Sequence, residues 1–139
     1  MCDQSEVLRV LIVEDTPERQ KFLQSLFREH AWVQVHTAAR AARLVNAFEF
    51  DLIALDYDLA GPQKGVEVAK AISTSRNANT PVLVHAMNSV GALKISEILP
   101  HAVLVPIASL MKSNAVVKRI RRALRKGVPS DWQKLLKKG

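Results

Sequence analysis

Five short runs of aliphatic and β-branched residues, each followed by a helical pattern, are the feature that most constrains the fold of this chain. Strands are predicted over Val7–Val13, Trp32–His36, Leu52–Leu55, Pro81–Ala86 and Ala102–Val105. Strands that alternate with helices indicate a parallel sheet wrapped by helices. Right-handed crossovers align the carboxyl ends of such strands along one edge, where functional sites form. We therefore predict an α/β protein with a (βα)5, doubly wound, five-stranded parallel sheet.

Helix signals fill the intervals between the strands. Thr16-Pro17 supplies an N-cap and a proline at the first helical position. The last long helix is predicted over Asn114–Lys126, where apolar residues recur at helical spacing. Trp32 is expected in the core, and Trp132 is a candidate to pack back on the domain.

Size and composition indicate one soluble globular domain. The chain has 139 residues, of which 48% are hydrophobic and 24% charged. No apolar run approaches the roughly 20 residues of a membrane helix, and the N-terminus does not resemble a secretion signal. We therefore expect a cytoplasmic protein without a transmembrane segment. Cys2 is the only cysteine, which excludes an intramolecular disulfide framework, and we expect it to be unreactive.

Positive charge is concentrated at the C-terminal end. The net charge is +7, but residues 112–139 hold ten Lys or Arg and a single acidic residue, Asp131. We divide the chain into a domain over residues 1–126 and a basic C-terminal tail over residues 127–139. The tail suits contact with nucleic acid or an anionic surface. A solvated helix face is the interpretation we favour, and sequence-specific DNA binding is not expected without a helix-turn-helix segment.

Acidic, imidazole and amide side chains end four of the five predicted strands. These residues are Glu14, Asp15, His36, Asp56, Asp58, His85 and Asn88. Carboxylates held close together repel one another unless a cation neutralises them. Mg²⁺ is bound by one or two carboxylates together with phosphate oxygens. The pattern thus predicts an acidic pocket for a divalent cation and a phosphoryl group, with helix capping as the alternative role of the carboxylates.

On these residues the chain resembles the response-regulator receiver domain of two-component signalling. The resemblance rests on Val10–Asp15, on Phe50–Asp56, on Gly65 at the start of the third helix and on Pro81–Val84. It covers about residues 7–126 and implies a flavodoxin-like receiver fold.

The resemblance also implies roles for the acidic residues. Glu14 and Asp15 would hold Mg²⁺, Asp56 would be the phospho-acceptor and metal ligand, and the carbonyl of Asp58 would supply the third metal contact. A histidine kinase or another phosphodonor would be the partner, with an output protein that the sequence does not identify. We favour an atypical stand-alone receiver in a phosphorelay.

Two positions depart from the receiver pattern. Ala86 stands where the family has a hydroxyl residue, and Val105 stands where it has a lysine. In the family both side chains contact the phosphoryl group. A pseudo-receiver that never takes phosphate and acts only by binding is therefore an open alternative.

A second resemblance rests on His36, on Asp56-Tyr57-Asp58-Leu59 and on His85 followed three residues later by Asn88. These motifs resemble the divergent receiver-like group predicted to process cyclic phosphates. The resemblance implies a metal-assisted enzyme in which His36 and His85 move protons and Asn88 donates to a phosphoryl oxygen. The alternative is that His85 is a buried strand residue and His36 a surface residue, so enzymatic activity stays open.

Overall fold

Five parallel strands form one sheet in the computed structural model, which describes residues 6–137. Cys2 lies outside the described residues. The strands are β1 (Arg9–Val13), β2 (Ala31–Val35), β3 (Leu52–Leu55), β4 (Val82–Val84) and β5 (Val103–Leu104). Their order is β2-β1-β3-β4-β5, and every neighbouring pair is parallel. The predicted doubly wound parallel fold is confirmed, and the strand order reverses at β1 and β3, where sheets of this kind bind ligands.

Seven helices lie within residues 6–137. They are α1 (Pro17–Leu26), α2 (Ala38–Ala47), α3 (Gly65–Ser73), α4 (Ser89–Ile98), α5 (Ile107–Leu110), α6 (Asn114–Leu124) and α7 (Trp132–Leu136). The single turn α5 and the short α7 are additions to the predicted pattern. None of the helices in this part of the chain is long and apolar enough to cross a membrane.

The two faces of the sheet bury separate apolar clusters, because alternate residues of a strand point to opposite faces. Leu11 and Val13 of β1 belong to the cluster under α2, α3 and α4. Val10 and Ile12 belong to the cluster under α1, α5 and α6. Burial on both faces explains why β1 reads as an almost continuous apolar run.

The strand ends differ from the predicted ones for a physical reason. Leu8, Ala86 and Val105 are buried, yet they lie just beyond the paired residues. An apolar residue therefore signals burial and does not by itself signal strand pairing. At the sheet edge, β2 begins one residue earlier than predicted, and Trp32, expected in the core, is 39% exposed.

The C-terminal segment is packed against the domain. Trp132 in α7 is 2% exposed and belongs to the cluster under α1 and α6. Arg119 of α6 donates to the carbonyls of Leu135 (3.0 Å) and Lys137 (2.6 Å). Arg125 pairs with Glu29 in two hydrogen bonds of 2.7 and 2.9 Å. Some of the basic residues near the C-terminus therefore hold helices together.

Candidate functional site

Three titratable side chains meet at the carboxyl edge of the sheet. Glu14, Asp56 and His85 each come directly after the last residue of β1, β3 and β4, respectively. One ligand atom of each residue lies within 4.8 Å of the other two. Their exposed fractions are 0%, 2% and 0%. Three central strands thus deliver two carboxylates and an imidazole to one buried cluster.

Glu14 and His85 form the paired half of the cluster. His85 Nε2 lies 2.9 Å from Glu14 Oε1. The N–H of Thr16 donates to Glu14 Oε2 (3.0 Å), and the Gln20 amide donates to the Glu14 carbonyl (2.7 Å). Burial opposes ionisation of Glu14, but the hydrogen bonds from His85 and Thr16 outweigh it, so the pKa of Glu14 lies below its usual value. An ionised Glu14 accepts the hydrogen bond, so His85 Nε2 carries the proton.

Asp56 is the unpaired half. Its Oδ1 accepts the N–H of Tyr57 (2.8 Å). Asp56 Oδ2 and His85 Nδ1 are buried without a hydrogen-bond partner in the described part of the chain. Burial and the neighbouring charge of Glu14 raise the pKa of Asp56 to about 6. Unpaired buried polar atoms cost about 1–3 kcal/mol each, and a bound ion or water is one arrangement that would satisfy them.

The donor set fits a divalent cation. Carboxylate oxygens are the ligands that Mg²⁺ and Mn²⁺ favour, and an imidazole nitrogen also suits transition metals. A cation would neutralise the repulsion that raises the pKa of Asp56, and the unpartnered Asp56 Oδ2 offers it a lone pair. The residues present therefore fit the metal that the sequence predicted.

Two other predicted metal ligands lie at the margin of the cluster. Asp15 is half-buried, and its Oδ1 accepts a hydrogen bond from the Thr16 hydroxyl (3.4 Å). The side chain of Asp58 is exposed. Neither side chain belongs to the group of close ligand atoms found among residues 6–137.

The remaining predicted site residues have other surroundings. His36 is exposed and makes no hydrogen bond with the residues that the structure describes. Asn88 is the N-cap of α4, and its Oδ1 accepts the N–H of Gly91 (2.9 Å). The structure therefore brings His85 into the cluster and leaves His36 at the surface.

Close backbone packing positions Asp56. The N–H of Gly65 donates to the Tyr57 carbonyl (2.7 Å), and a Cβ on Gly65 would collide with the Asp56 carbonyl oxygen. The Tyr57 ring lies directly over Gly91, where a Cβ would collide with it. Glycine at both positions lets α3 and α4 approach the loop that carries Asp56.

The phosphoryl-contacting positions of a receiver are apolar here. Ala86 and Val105 are both buried. A positive charge comes instead from Arg19 of α1, which acts to lower the pKa values of Glu14 and Asp56. The sequence analysis did not single out Arg19, because a basic residue in the first turns of a helix carries no local sign of its neighbours.

Solved structures similar in fold to this chain include a receiver domain and a response regulator. One is the receiver domain of a sensor histidine kinase from Pseudomonas aeruginosa, which has a magnesium ion coordinated in its active site cleft. It is 17% identical to this chain with a TM-score of 0.65, and the match covers 84% of this chain and 99% of that chain. Another is the response regulator TrrA from Thermotoga maritima in complex with Mg²⁺ and BeF, with 20% identity, a TM-score of 0.63, and coverage of 81% and 97%. At this sequence identity, the similarity to these two structures establishes the fold alone.

A sensor protein from Polaromonas is 25% identical over 84% of this chain and 94% of its own, with a TM-score of 0.62. No curated protein sequence matches this chain significantly. Residues 9–101, more than half of the chain, match the family described as the cyclic-phosphate processing receiver domain. The chain therefore belongs to the cyclic-phosphate processing receiver domain family.

Proposed function

We propose that this protein opens a cyclic phosphate ester by metal-assisted hydrolysis, with Glu14 and Asp56 as metal ligands and His85 as the acid–base group. The observation that carries the proposal is that Asp56 Oδ2 and His85 Nδ1 are buried and unpartnered, among the residues described, beside an ionised Glu14. The family match supports the substrate class.

Glu14, Asp56 and, as the resemblance implies, Asp15 and the carbonyl of Asp58 would hold Mg²⁺ or Mn²⁺. When bound, the cation would neutralise the carboxylates and polarise a phosphoryl oxygen. The protein would act in the cytoplasm.

His85 is suited to move the proton. Glu14 holds its Nε2–H, which orients the ring and leaves Nδ1 as the basic atom. In the hydrolysis, the oxygen of a water forms a bond to phosphorus and one ester P–O bond breaks. His85 Nδ1 takes the proton of the attacking water and returns it to the leaving alkoxide, so a cyclic diester yields a monoester. His36 has no part in this proposal, because it lies at the surface.

Turnover tests the proposal. Cytidine 2′,3′-cyclic phosphate is incubated with the protein and MgCl₂ or MnCl₂, and the monoester is quantified. We expect His85→Gln to lower kcat by about 100-fold or more and His36→Gln, the matched control, to leave it unchanged. Equal turnover by the wild type and His85→Gln, with both folded, contradicts the acid–base role.

Phosphotransfer is the second candidate function, because the receiver resemblance implies Asp56 as the phospho-acceptor and its Oδ2 has no hydrogen-bond partner in residues 6–137. In this reading a histidine kinase or small phosphodonor is the partner. The apolar Ala86 and Val105 cannot make the two side-chain contacts that a receiver makes to the phosphoryl group, so they disfavour phosphotransfer. Intact mass after incubation with Mg²⁺ and a small phosphodonor decides the matter. A phosphoryl adduct that is lost in Asp56→Asn supports the receiver, and its absence removes this candidate.

A binding-only pseudo-receiver makes a different prediction from both. Its thermal stability would not respond to Mg²⁺ or Mn²⁺, because no metal would enter the cluster. Stabilisation of the wild type by either cation excludes that alternative.

A further inference from the structure

A pocket of about 300 Å³ lies between α1 and α5 at the carboxyl edge of the sheet. Its lining includes Thr16, Glu18, Arg19, Met87, Ile107 and Met111. Two of these residues connect it directly to the buried cluster. The N–H of Thr16 donates to Glu14 Oε2 (3.0 Å), and the N–H of Ile107 donates to the His85 carbonyl (2.9 Å). The pocket therefore adjoins the proposed phosphoryl site.

We infer that this pocket binds a small cyclic nucleoside phosphate, with the Arg19 guanidinium on the phosphate and Met87, Ile107 and Met111 against the organic group. The inference rests on the function proposed above and names the part of the chain that recognises the substrate.

Arg19 is the cation available for this task. It is half-buried, and within residues 6–137 no carboxylate forms an ion pair with it. Val105 leaves β5 without a cation at the edge of the site. A guanidinium offers two parallel N–H groups that match two phosphate oxygens. Arg19 thus provides, from the α1 side, a positive charge that the strand side lacks.

The opposite wall of the pocket is apolar. Met87 and Met111 are exposed, and Ile107 closes the wall between α5 and the sheet. Thioether side chains adapt to planar groups and make favourable contacts with aromatic rings. A cation, a hydroxyl and an apolar wall in one pocket suit an organic phosphate better than inorganic phosphate. The volume lies at the lower end for ligand pockets, which favours a single nucleoside over a polymer.

Glu18 gives the pocket an internal control. Glu18 is part of the lining, and its negative charge repels an anion that Arg19 attracts. Neutralising Glu18 should strengthen phosphate binding, whereas neutralising Arg19 should weaken it. Lys21, an exposed residue of the same helix outside the lining, controls for general charge.

The test is direct binding, measured by isothermal titration calorimetry in MgCl₂ with cytidine 3′-phosphate, which has the phosphate and the base but no cyclic ester to open. We expect Arg19→Gln to raise Kd about tenfold or more, Glu18→Gln to lower it and Lys21→Gln to change it less than about twofold. Met111→Ser should raise Kd for cytidine 3′-phosphate and leave the Kd of inorganic phosphate unchanged.

The outcomes separate this inference from the proposed function. Binding that is equal in the wild type and a folded Arg19→Gln variant overturns the inference, whatever the turnover. An equal loss in Lys21→Gln also overturns it, because general charge then explains the binding. Arg19-dependent binding in a wild type that never turns over cyclic phosphates supports the pocket and overturns the proposed function.

Discussion

The two ends of the sheet bury polar groups in opposite ways. At the amino end, Asn77 is fully buried between the loops that precede β3 and β4. Its Oδ1 accepts the N–H of Phe50 (2.8 Å), and its Nδ2 donates to the carbonyls of Val45 and Phe48 (2.8 Å each). Every polar atom of this side chain is paired.

At the carboxyl end, Asp56 and His85 are buried to the same degree, and each keeps one polar atom without a partner among the described residues. Burial alone therefore does not distinguish a purely structural polar group from one of the cluster at the carboxyl edge. The distinction lies in whether its hydrogen bonds are complete. Removing the fully paired group at the amino end should therefore destabilise the protein. Removing the incompletely paired group Asp56 at the carboxyl end should stabilise it.

The largest effect is expected at Asn77. Asn77→Ala leaves one backbone N–H and two backbone carbonyls without their partner, so the free energy of unfolding should fall by about 3 kcal/mol. Urea denaturation of the variant and of Asn79→Ala, an exposed neighbour, measures the difference. A loss under about 1 kcal/mol would show that water replaces these bonds and would weaken the contrast between the two ends.

The opposite sign is expected at Asp56. Asp56→Asn removes a buried charge beside Glu14, so we expect the metal-free variant to be more stable than the wild type by about 2–3 kcal/mol at about pH 8. Residues of a functional site commonly lower the stability of a protein, and the proposed role of Asp56 predicts the same here. Adding millimolar MgCl₂ should raise Tm in the wild type and not in the variant.

The gain at Asp56 has a defined pH dependence. The pKa of Asp56 is raised to about 6 in the folded state from an ordinary value of 3.8. The folded wild type therefore holds a proton that the unfolded chain releases, and its stability falls as pH rises between these values. The difference from Asp56→Asn should vanish below about pH 4. A constant difference across this range would contradict the buried charge as its cause.

The smallest effect is expected at His30, a second paired group at the amino end. Its Nδ1 accepts the N–H of Leu8 (3.0 Å), and burial lowers the pKa of His30. The unfolded chain takes up the proton first, so stability is lost as pH falls through about 6.5. We expect the free energy of unfolding to fall by about 1 kcal/mol between about pH 7.5 and 5.5, measured in the Asp56→Asn background.

Two variants in that background isolate the source of the pH dependence. His30→Gln should remove the loss on acidification, because no imidazole is left to take up the proton. His36→Gln, at an exposed position, should keep the full loss. A loss that survives in His30→Gln would place the titrating group elsewhere.

The sequence was sufficient for the order of the five strands and the five longer helices, and for the edge of the sheet where the cluster lies. Leu52–Leu55 was predicted with its observed bounds because it is buried on both faces and is followed by the acidic residue Asp56. The prediction that Trp32 lies in the core was wrong, because its apolar side chain did not reveal that β2 is an edge strand. Asn77 also gave no signal, because its partners lie about 30 residues away in the chain.

The cluster itself was predictable only in part. Strand ends indicated Glu14, Asp56 and His85 as neighbours, because parallel strands share an edge. The direct pairing of Glu14 with His85, 71 residues apart, depends on strand order and side-chain direction. The same dependence separates His85, on a central strand, from His36, at the end of the edge strand β2. Periodicity alone contains neither piece of information.

The packing of Trp132 under the sheet also gives the protein a built-in optical probe. The chain has two tryptophans, and Trp32 is 39% exposed whereas Trp132 is 2% exposed. In a Trp32→Phe protein, the emission spectrum and its quenching by acrylamide would report on Trp132 alone. Detachment of α7 would then appear as a red shift of the fluorescence, separable from the global unfolding that circular dichroism follows. The order in which the last helix and the sheet come apart could thus be followed without any attached dye.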